Sequence, residues 1–188
     1  MERNCQPPRP TPAGLATVPW LIMLPLVACL VLTLPLGATT LTPMTGEDLA
    51  LAADRVVVAQ CTETASRWYG RALVTELTFA VSETLVGEES GELVVAVPGG
   101  VDLEKGIAVT LPGAPSLAPG QDYLLFLHQL PDTDRLGVVG LSQGAFPIVY
   151  HQGQAMVSQS PTKREGALGL EHVKTRIRSY LHARDAQR

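Results

Sequence analysis

Apolar and polar residues alternate along much of the chain, most regularly between Leu73 and Leu85, where most intervening positions are polar. Successive side chains of a strand point to opposite faces, so this period of two predicts a strand with one solvent-exposed face. The stretch from Tyr123 to Leu127 is instead apolar at every position, which predicts a central strand covered on both faces. Further short apolar runs occur at residues 56–62, 93–97, 107–111, 138–141, 146–150 and 155–157.

Turn residues separate these runs. We expect Pro98-Gly99-Gly100 to end the third strand and Gln152-Gly153 to form a hairpin turn. About seven short strands divided by such turns are typical of a small antiparallel barrel or sandwich. The pattern therefore predicts a mainly β domain.

Two segments depart from the strand pattern and predict helices. Thr45-Gly46-Glu47-Asp48 fits a capping box with acidic residues in the first turn, which predicts a short N-terminal helix. From about residue 169 to 183 the apolar residues recur with helical spacing, and basic residues occupy the other side. This second pattern predicts a C-terminal amphipathic helix, with an apolar stripe formed by Leu170, Val173, Ile177 and Leu181.

The N-terminal part of the chain has a different character. Pro10 to Gly46 carries no charge, Leu15 to Leu36 is almost wholly apolar, and Arg3 and Arg9 precede this stretch. A basic start followed by an apolar segment directs export, and the basic side stays in the cytoplasm. We therefore expect the rest of the chain to be periplasmic, extracellular or membrane-anchored and facing outward.

Three alternatives remain open for this segment. Residues 1–38 are a signal peptide cleaved after Ala38, or Leu15 to Leu36 is retained as a membrane anchor, since it is long enough to span a bilayer. In the third alternative Cys29 is lipidated, because Leu26-Val27-Ala28 before it looks like a bacterial lipobox. In each case residues 39–188 form a single β-barrel-like domain that ends in the C-terminal helix.

Charge is distributed unevenly between the body and the tail. Residues 39–160 hold 14 Asp and Glu against 5 Lys and Arg, whereas residues 161–188 hold 7 Lys and Arg against 3 acidic residues. An acidic body argues against nucleic acid as a partner, because phosphate contacts require a basic surface. Cys61 is the only cysteine beyond the apolar segment, so the domain has no internal disulfide, and we expect this thiol to be a small buried residue.

Candidate catalytic chemistry is limited to Gly140-Leu141-Ser142-Gln143-Gly144, which matches the G-x-S-x-G turn of α/β-hydrolases. That turn requires a following helix, but the next residues are β-like and include Pro147. We therefore expect no catalytic residue, with a small secreted serine hydrolase using Ser142 as the alternative. The four histidines lack the spacing of a metal site and no phosphate loop occurs, so we expect neither metal nor cofactor.

Short motifs occur at residues 53–59, 79–88, 118–127 and 139–146. Through these motifs, residues 45–185 resemble an uncharacterised family of secreted bacterial proteins. The order of elements is also similar to netrin-like modules and tissue inhibitors of metalloproteinases, and this likeness implies an OB-type barrel flanked by helices. Those inhibitors use an N-terminal cysteine and several disulfides, both absent here, so their mechanism does not carry over.

An OB-like barrel implies a ligand face on the early strands and their adjoining loops. We expect the loop between the first two strands to contain Arg67, Trp68, Tyr69, Gly70 and Arg71. Adjacent aromatic and arginine side chains are enriched at interaction hot spots. The predicted function is a noncatalytic interaction or accessory module of the cell envelope that contacts an extracellular or envelope protein or a glycan. A membrane-anchored structural envelope protein is the further alternative, and it depends on the N-terminal segment.

Overall fold

The computed structural model describes residues 42–131, 133–158 and 167–185, and this part of the chain is mainly β, as predicted. The described residues contain two α-helices, one short 3₁₀ helix and nine strands. In chain order they are α1 Gly46–Ala52, β1 Arg55–Tyr69, β2 Ala72–Val86, β3 Glu92–Asp102, β4 Ile107–Thr110, β5 Asp122–Gln129, β6 Leu136–Val138, the 3₁₀ helix Leu141–Gly144, β7 Ala145–His151, β8 Gln154–Val157, β9 Leu168–Gly169 and α2 Leu170–Asp185.

Five strands form the centre of the fold, and each pairs with two others of the set. β1 lies antiparallel to both β2 and β5, β2 also pairs with β3, and β6 joins β3 to β5. The β3–β6 pairing is parallel and the others are antiparallel. The remaining strands extend from this set, with β4 on β3, β7 on β5, β8 on β7 and β9 on β8.

The core consists of two apolar clusters on opposite faces of the same strands. Strand β5 contributes to both, because Tyr123, Leu125 and Leu127 enter one cluster while Leu124 and Phe126 enter the other. This confirms the prediction of a strand covered on both faces. All buried members of the first cluster come from the five central strands, and besides those of β5 they are Val57, Ala59, Cys61, Leu77, Phe79, Leu93, Val95, Val97, Leu136 and Val138.

The second cluster lies between the strands and the two helices. The predicted capping box at Thr45 is present, since its hydroxyl accepts from the Asp48 amide and the Asp48 carboxylate accepts from the Thr45 amide. Helix α2 buries Leu170 and Ile177, in agreement with the predicted stripe. Lys174 lies on the same helix, is 6% exposed, and forms ion pairs with Glu83 of β2 and with Glu171.

Strand β3 differs from the prediction, because it continues through Pro98-Gly99-Gly100 rather than ending there. Gly99 and Gly100 have φ of 98° and 150°, which glycine adopts without the steric cost that other residues meet. A Cβ on Gly100 would lie 2.5 Å from the Ser66 hydroxyl oxygen. The two glycines thus let β3 pass close to β1 and exchange β2 for β4 as its partner.

The predicted export segment lies outside the described residues, and so do the Ala38 cleavage site and Cys29. Within residues 42–131, 133–158 and 167–185, no helix combines the length and apolar character needed to cross a membrane.

Candidate functional site

The predicted contact residues lie at the end of the β1–β2 hairpin. Arg67, Trp68 and Tyr69 are the last three residues of β1 and not part of a loop, which corrects the prediction. Only Gly70 and Arg71 form the turn, where Gly70 has a φ of 60°. Strand pairing extends to the last residue of β1 because Tyr69 lies opposite Ala72. Strand pairing therefore continues up to the two-residue turn.

Trp68 is held by the turn between β3 and β4. Its indole nitrogen Nε1 donates to Oδ2 of Asp102 at 2.6 Å, and Nζ of Lys105 lies 4.9 Å from the ring centroid. The Lys105 amide donates to Oδ1 of the same carboxylate at 3.0 Å. These bonds, led by that from Trp68, lower the pKa of Asp102 from 3.8 to about 2. Asp102 is therefore ionised at neutral pH and fixes the orientation of the indole.

Tyr69 is held by the connection between β5 and β6. The Arg135 guanidinium lies 4.3 Å from the ring centroid, and its Nη2 donates to the phenol oxygen at 2.6 Å. The phenol in turn donates to Oε1 of Glu76 at 2.7 Å. That hydrogen bond raises the pKa of Tyr69 and lowers the pKa of Glu76. Glu76 also forms ion pairs with Arg67 and Arg135.

The basic residues of the acidic body concentrate at this end. Arg67, Arg71, Lys105 and Arg135 are four of the five Lys and Arg within residues 39–160. Arg71 is exposed and has no hydrogen-bond or ion-pair partner in the described part of the chain. Three separate segments of the chain supply these cations, so their proximity results from the fold.

Exposed apolar residues surround the same surface. Val101 is 53% exposed and Leu103, at the tip of the β3–β4 hairpin, is 89% exposed. Together with Trp68, Tyr69 and Lys105 they line an open groove of about 630 Å³. We call this surface, formed by Arg67, Trp68, Tyr69, Arg71, Val101, Asp102, Leu103, Lys105 and Arg135, the hairpin end.

The sequence alone identifies the hairpin residues but not the residues that hold them in place. Asp102, Lys105, Glu76 and Arg135 lie in other elements and carry no motif of their own. For Lys105 and Arg135, the available signal was the scarcity of Lys and Arg in residues 39–160, which made each of these cations a candidate contact residue.

Ser142 lies in the 3₁₀ helix between β6 and β7, not in a strand-to-helix turn. Its side chain is exposed, its amide donates to the Gly113 carbonyl at 2.9 Å, and no described histidine or acid hydrogen-bonds its hydroxyl. A serine without a base remains a weak nucleophile. The described residues thus offer no catalytic arrangement around Ser142.

Metal-binding and thiol chemistry are also unsupported among the residues the structure describes. No group of three His, Cys, Asp or Glu comes together there. Cys61 is fully buried in the first core cluster, and burial raises the pKa of its thiol. The thiol therefore stays protonated and packs as a small apolar side chain.

Neither a family model nor a curated protein matches this chain.

Proposed function

We propose that this protein is a noncatalytic interaction module of the cell envelope and that the hairpin end is its contact surface. The observation that carries the proposal is the fixed aromatic pair, in which Trp68 and Tyr69 are each held by a carboxylate and a cation from other elements of the fold. A few residues supply most of the binding energy at protein interfaces, and Trp, Tyr and Arg are enriched among them. Holding them in place before binding reduces the conformational entropy lost on association.

The fold type belongs to the same proposal. An OB-type barrel is supported by the five central strands, each paired with two others, and by the parallel β3–β6 pair. In that fold the connections between the first two strands and between the last two flank the ligand face. Here the corresponding connections meet where Arg135 covers the ring of Tyr69. The similarity to netrin-like modules and to an uncharacterised family of secreted bacterial proteins remains part of this proposal.

Export completes the proposed role. The basic start and apolar stretch before Thr42 support a location outside the cytoplasm, where the partner is an envelope or extracellular protein or a glycan. An acidic body speaks against nucleic acid, although the hairpin end itself is locally basic. A membrane contact through the N-terminal segment follows if that segment is retained.

Site-specific photocrosslinking in cells tests the contact surface. A photoreactive residue replaces Leu103, which is 89% exposed at the hairpin end, or Tyr150, which is 64% exposed and lies on β7. We expect a discrete adduct from position 103 and none from position 150. Trp68→Ala should remove the adduct, whereas Tyr150→Ala should leave it intact.

Thermal unfolding supplies the control for Trp68. Loss of one hydrogen bond and a half-buried ring at the hairpin end should lower Tm by only a few degrees. A collapse of the fold in Trp68→Ala would mean that the residue is structural, and the proposal would fail. The absence of any adduct at position 103 would count against it equally.

A further inference from the structure

A second concave surface lies on the helix-covered side of the strands. It is a half-open cavity of about 470 Å³ bounded by α1, the 3₁₀ helix, β7, β8 and α2. Clefts that hold small ligands measure roughly 300–1,000 Å³. Its wall is predominantly apolar and includes Leu49, Phe126, Phe146, Val157, Val173 and Ile177.

One cation lies at the cavity without an acidic partner. Arg176 of α2 lines it, and its Nη2 donates to the Tyr180 hydroxyl at 2.8 Å. No carboxylate of a described residue forms an ion pair with Arg176, whereas Lys174 and Arg178 on the same helix both pair with Glu83. The cavity therefore combines an apolar wall with the exposed guanidinium of Arg176, which has no acidic partner among the described residues.

The chain enters the described region beside this cavity. Met44 lines it, the Met44 amide donates to the Gln143 side chain at 2.8 Å, and Gln143 donates to the Thr42 carbonyl at 3.1 Å. Ser142 also lines the cavity, with an exposed hydroxyl. Gln143 and Ser142 thus add polar groups to a wall that is otherwise mostly apolar, and an amphiphile requires both kinds of contact.

We propose that this cavity binds a monomeric single-chain fatty carboxylate, with the acyl chain against the apolar wall and the carboxylate at Arg176. A guanidinium can donate two parallel hydrogen bonds to a carboxylate, and such charge-assisted bonds are stronger than neutral ones. Each methylene buried in the cavity adds roughly fourfold to the affinity. This site is independent of the hairpin end and of the partner proposed there.

Titration of the purified full-length chain with dodecanoate, kept below its micelle concentration, tests the proposal by calorimetry. Dodecanol is the neutral probe with the same chain length. We expect a single dodecanoate site. Arg176→Gln should weaken dodecanoate about tenfold and leave dodecanol nearly unchanged, because only the charge-assisted contact is lost.

Two further variants separate the cavity from the general charge of the helix. Val173→Phe fills the cavity and should weaken both probes about tenfold or more, through loss of methylene burial. Arg178→Gln removes the same charge from the same helix outside the cavity wall, and should change neither affinity appreciably. Thermal unfolding of each variant checks that the fold is retained.

Several results would overturn the proposal. One is the absence of dodecanoate binding at millimolar concentration, which would be expected if a segment of this chain itself filled the cavity. Another is an equal loss of dodecanoate affinity in Arg176→Gln and Arg178→Gln. Binding to anionic lipid vesicles without binding to monomeric dodecanoate would instead indicate a bilayer contact of α2. Failure here leaves the photocrosslink at position 103 unaffected, so the two proposals can be tested separately.

Discussion

The hairpin end and the helix-covered side are built on the same strands but are stabilised differently. Strand β1 begins beneath the helices, where Val56 and Val58 are buried, and ends at Trp68 and Tyr69, which are partly exposed. On the helix side, most apolar residues pack in the second cluster, and Lys174, the buried cation of the described residues, is paired. At the hairpin end, apolar and aromatic residues remain in contact with water and are held by hydrogen bonds and cations.

This difference separates stability from recognition. Burial of apolar area dominates the free energy of folding, so the helix side should tolerate substitution poorly. Exposed ion pairs and hydrogen bonds contribute little, so the hairpin end should tolerate substitution well. Leu103 and Val101 are exposed there although their exposure does not stabilise the fold, and such exposed apolar residues are typical of an interaction site.

Ile177→Ala should have the largest effect on stability. Ile177 is 2% exposed in the second cluster, and truncation of such a residue costs about 2–5 kcal/mol of the free energy of unfolding. Urea denaturation followed by circular dichroism measures it. Leu103→Ala at the hairpin end is the contrast and should cost less than about 0.5 kcal/mol. Similar losses for both variants would contradict the division.

Glu83→Gln should have an intermediate effect. The Lys174 side chain is 7% exposed, while that of Glu83 is 37% exposed. Solvent therefore weakens this ion pair, but the substitution still removes one partner of the buried Lys174 ammonium. Burial alone would lower the pKa of Lys174, yet its bonds to Glu171 and Glu83 outweigh burial and raise it. We expect a loss of about 1–2 kcal/mol.

Glu171→Gln is the matched control for that substitution. Glu171 is the other acidic partner of Lys174, but the Glu171 side chain is 80% exposed, so its loss should cost less than about 0.5 kcal/mol. If Glu171→Gln lowers the free energy of unfolding more than Glu83→Gln does, the Lys174–Glu83 ion pair is not what attaches α2 to β2.

Acidification should produce the smallest effect, confined to the hairpin end. The pKa of Asp102 is about 2 in the folded protein against an ordinary 3.8, so its stabilising contribution is complete above 3.8 and is lost as the pH falls through 2. The indole N–H resonance of Trp68, assigned with Trp68→Phe, should shift in this window. Asp102→Asn should abolish that shift, and a concerted shift of Ile177 methyl resonances would indicate global unfolding instead.

Much of the secondary structure follows from local patterns. The alternation after Leu73 corresponds to β2, in which Leu73, Leu77 and Phe79 are buried. Gln152 and Gly153 form the expected turn between β7 and β8, with φ of 49° and 78°. Such features depend on neighbouring residues alone, because strand period, turn geometry and helix capping act over a few positions.

The errors arise where a tertiary contact overrides a local preference. Gly99 and Gly100 were predicted to end β3. However, the Thr75 hydroxyl donates to the Gly99 carbonyl at 2.8 Å, and the Val101 amide donates to the Ser66 hydroxyl at 3.1 Å. Residues 67–69 were predicted to lie in a loop because polar and aromatic residues interrupt the apolar run. Pairing with β2 instead extends β1 through these residues. In both places the partner strand supplies the hydrogen bonds that keep the backbone extended.

By itself, the sequence determined a mainly β domain with a short capped helix before it and an amphipathic helix after it. It also singled out Arg67, Trp68 and Tyr69 and showed how few cations the acidic body contains. Only the tertiary structure decided that Arg135 covers Tyr69 across 66 residues of chain and that Arg176, which has no acidic partner among the described residues, lines an apolar cavity. Periodicity reports which face a side chain takes, whereas the identity of its neighbour depends on how distant strands pair, and that is set by the packing of the whole domain.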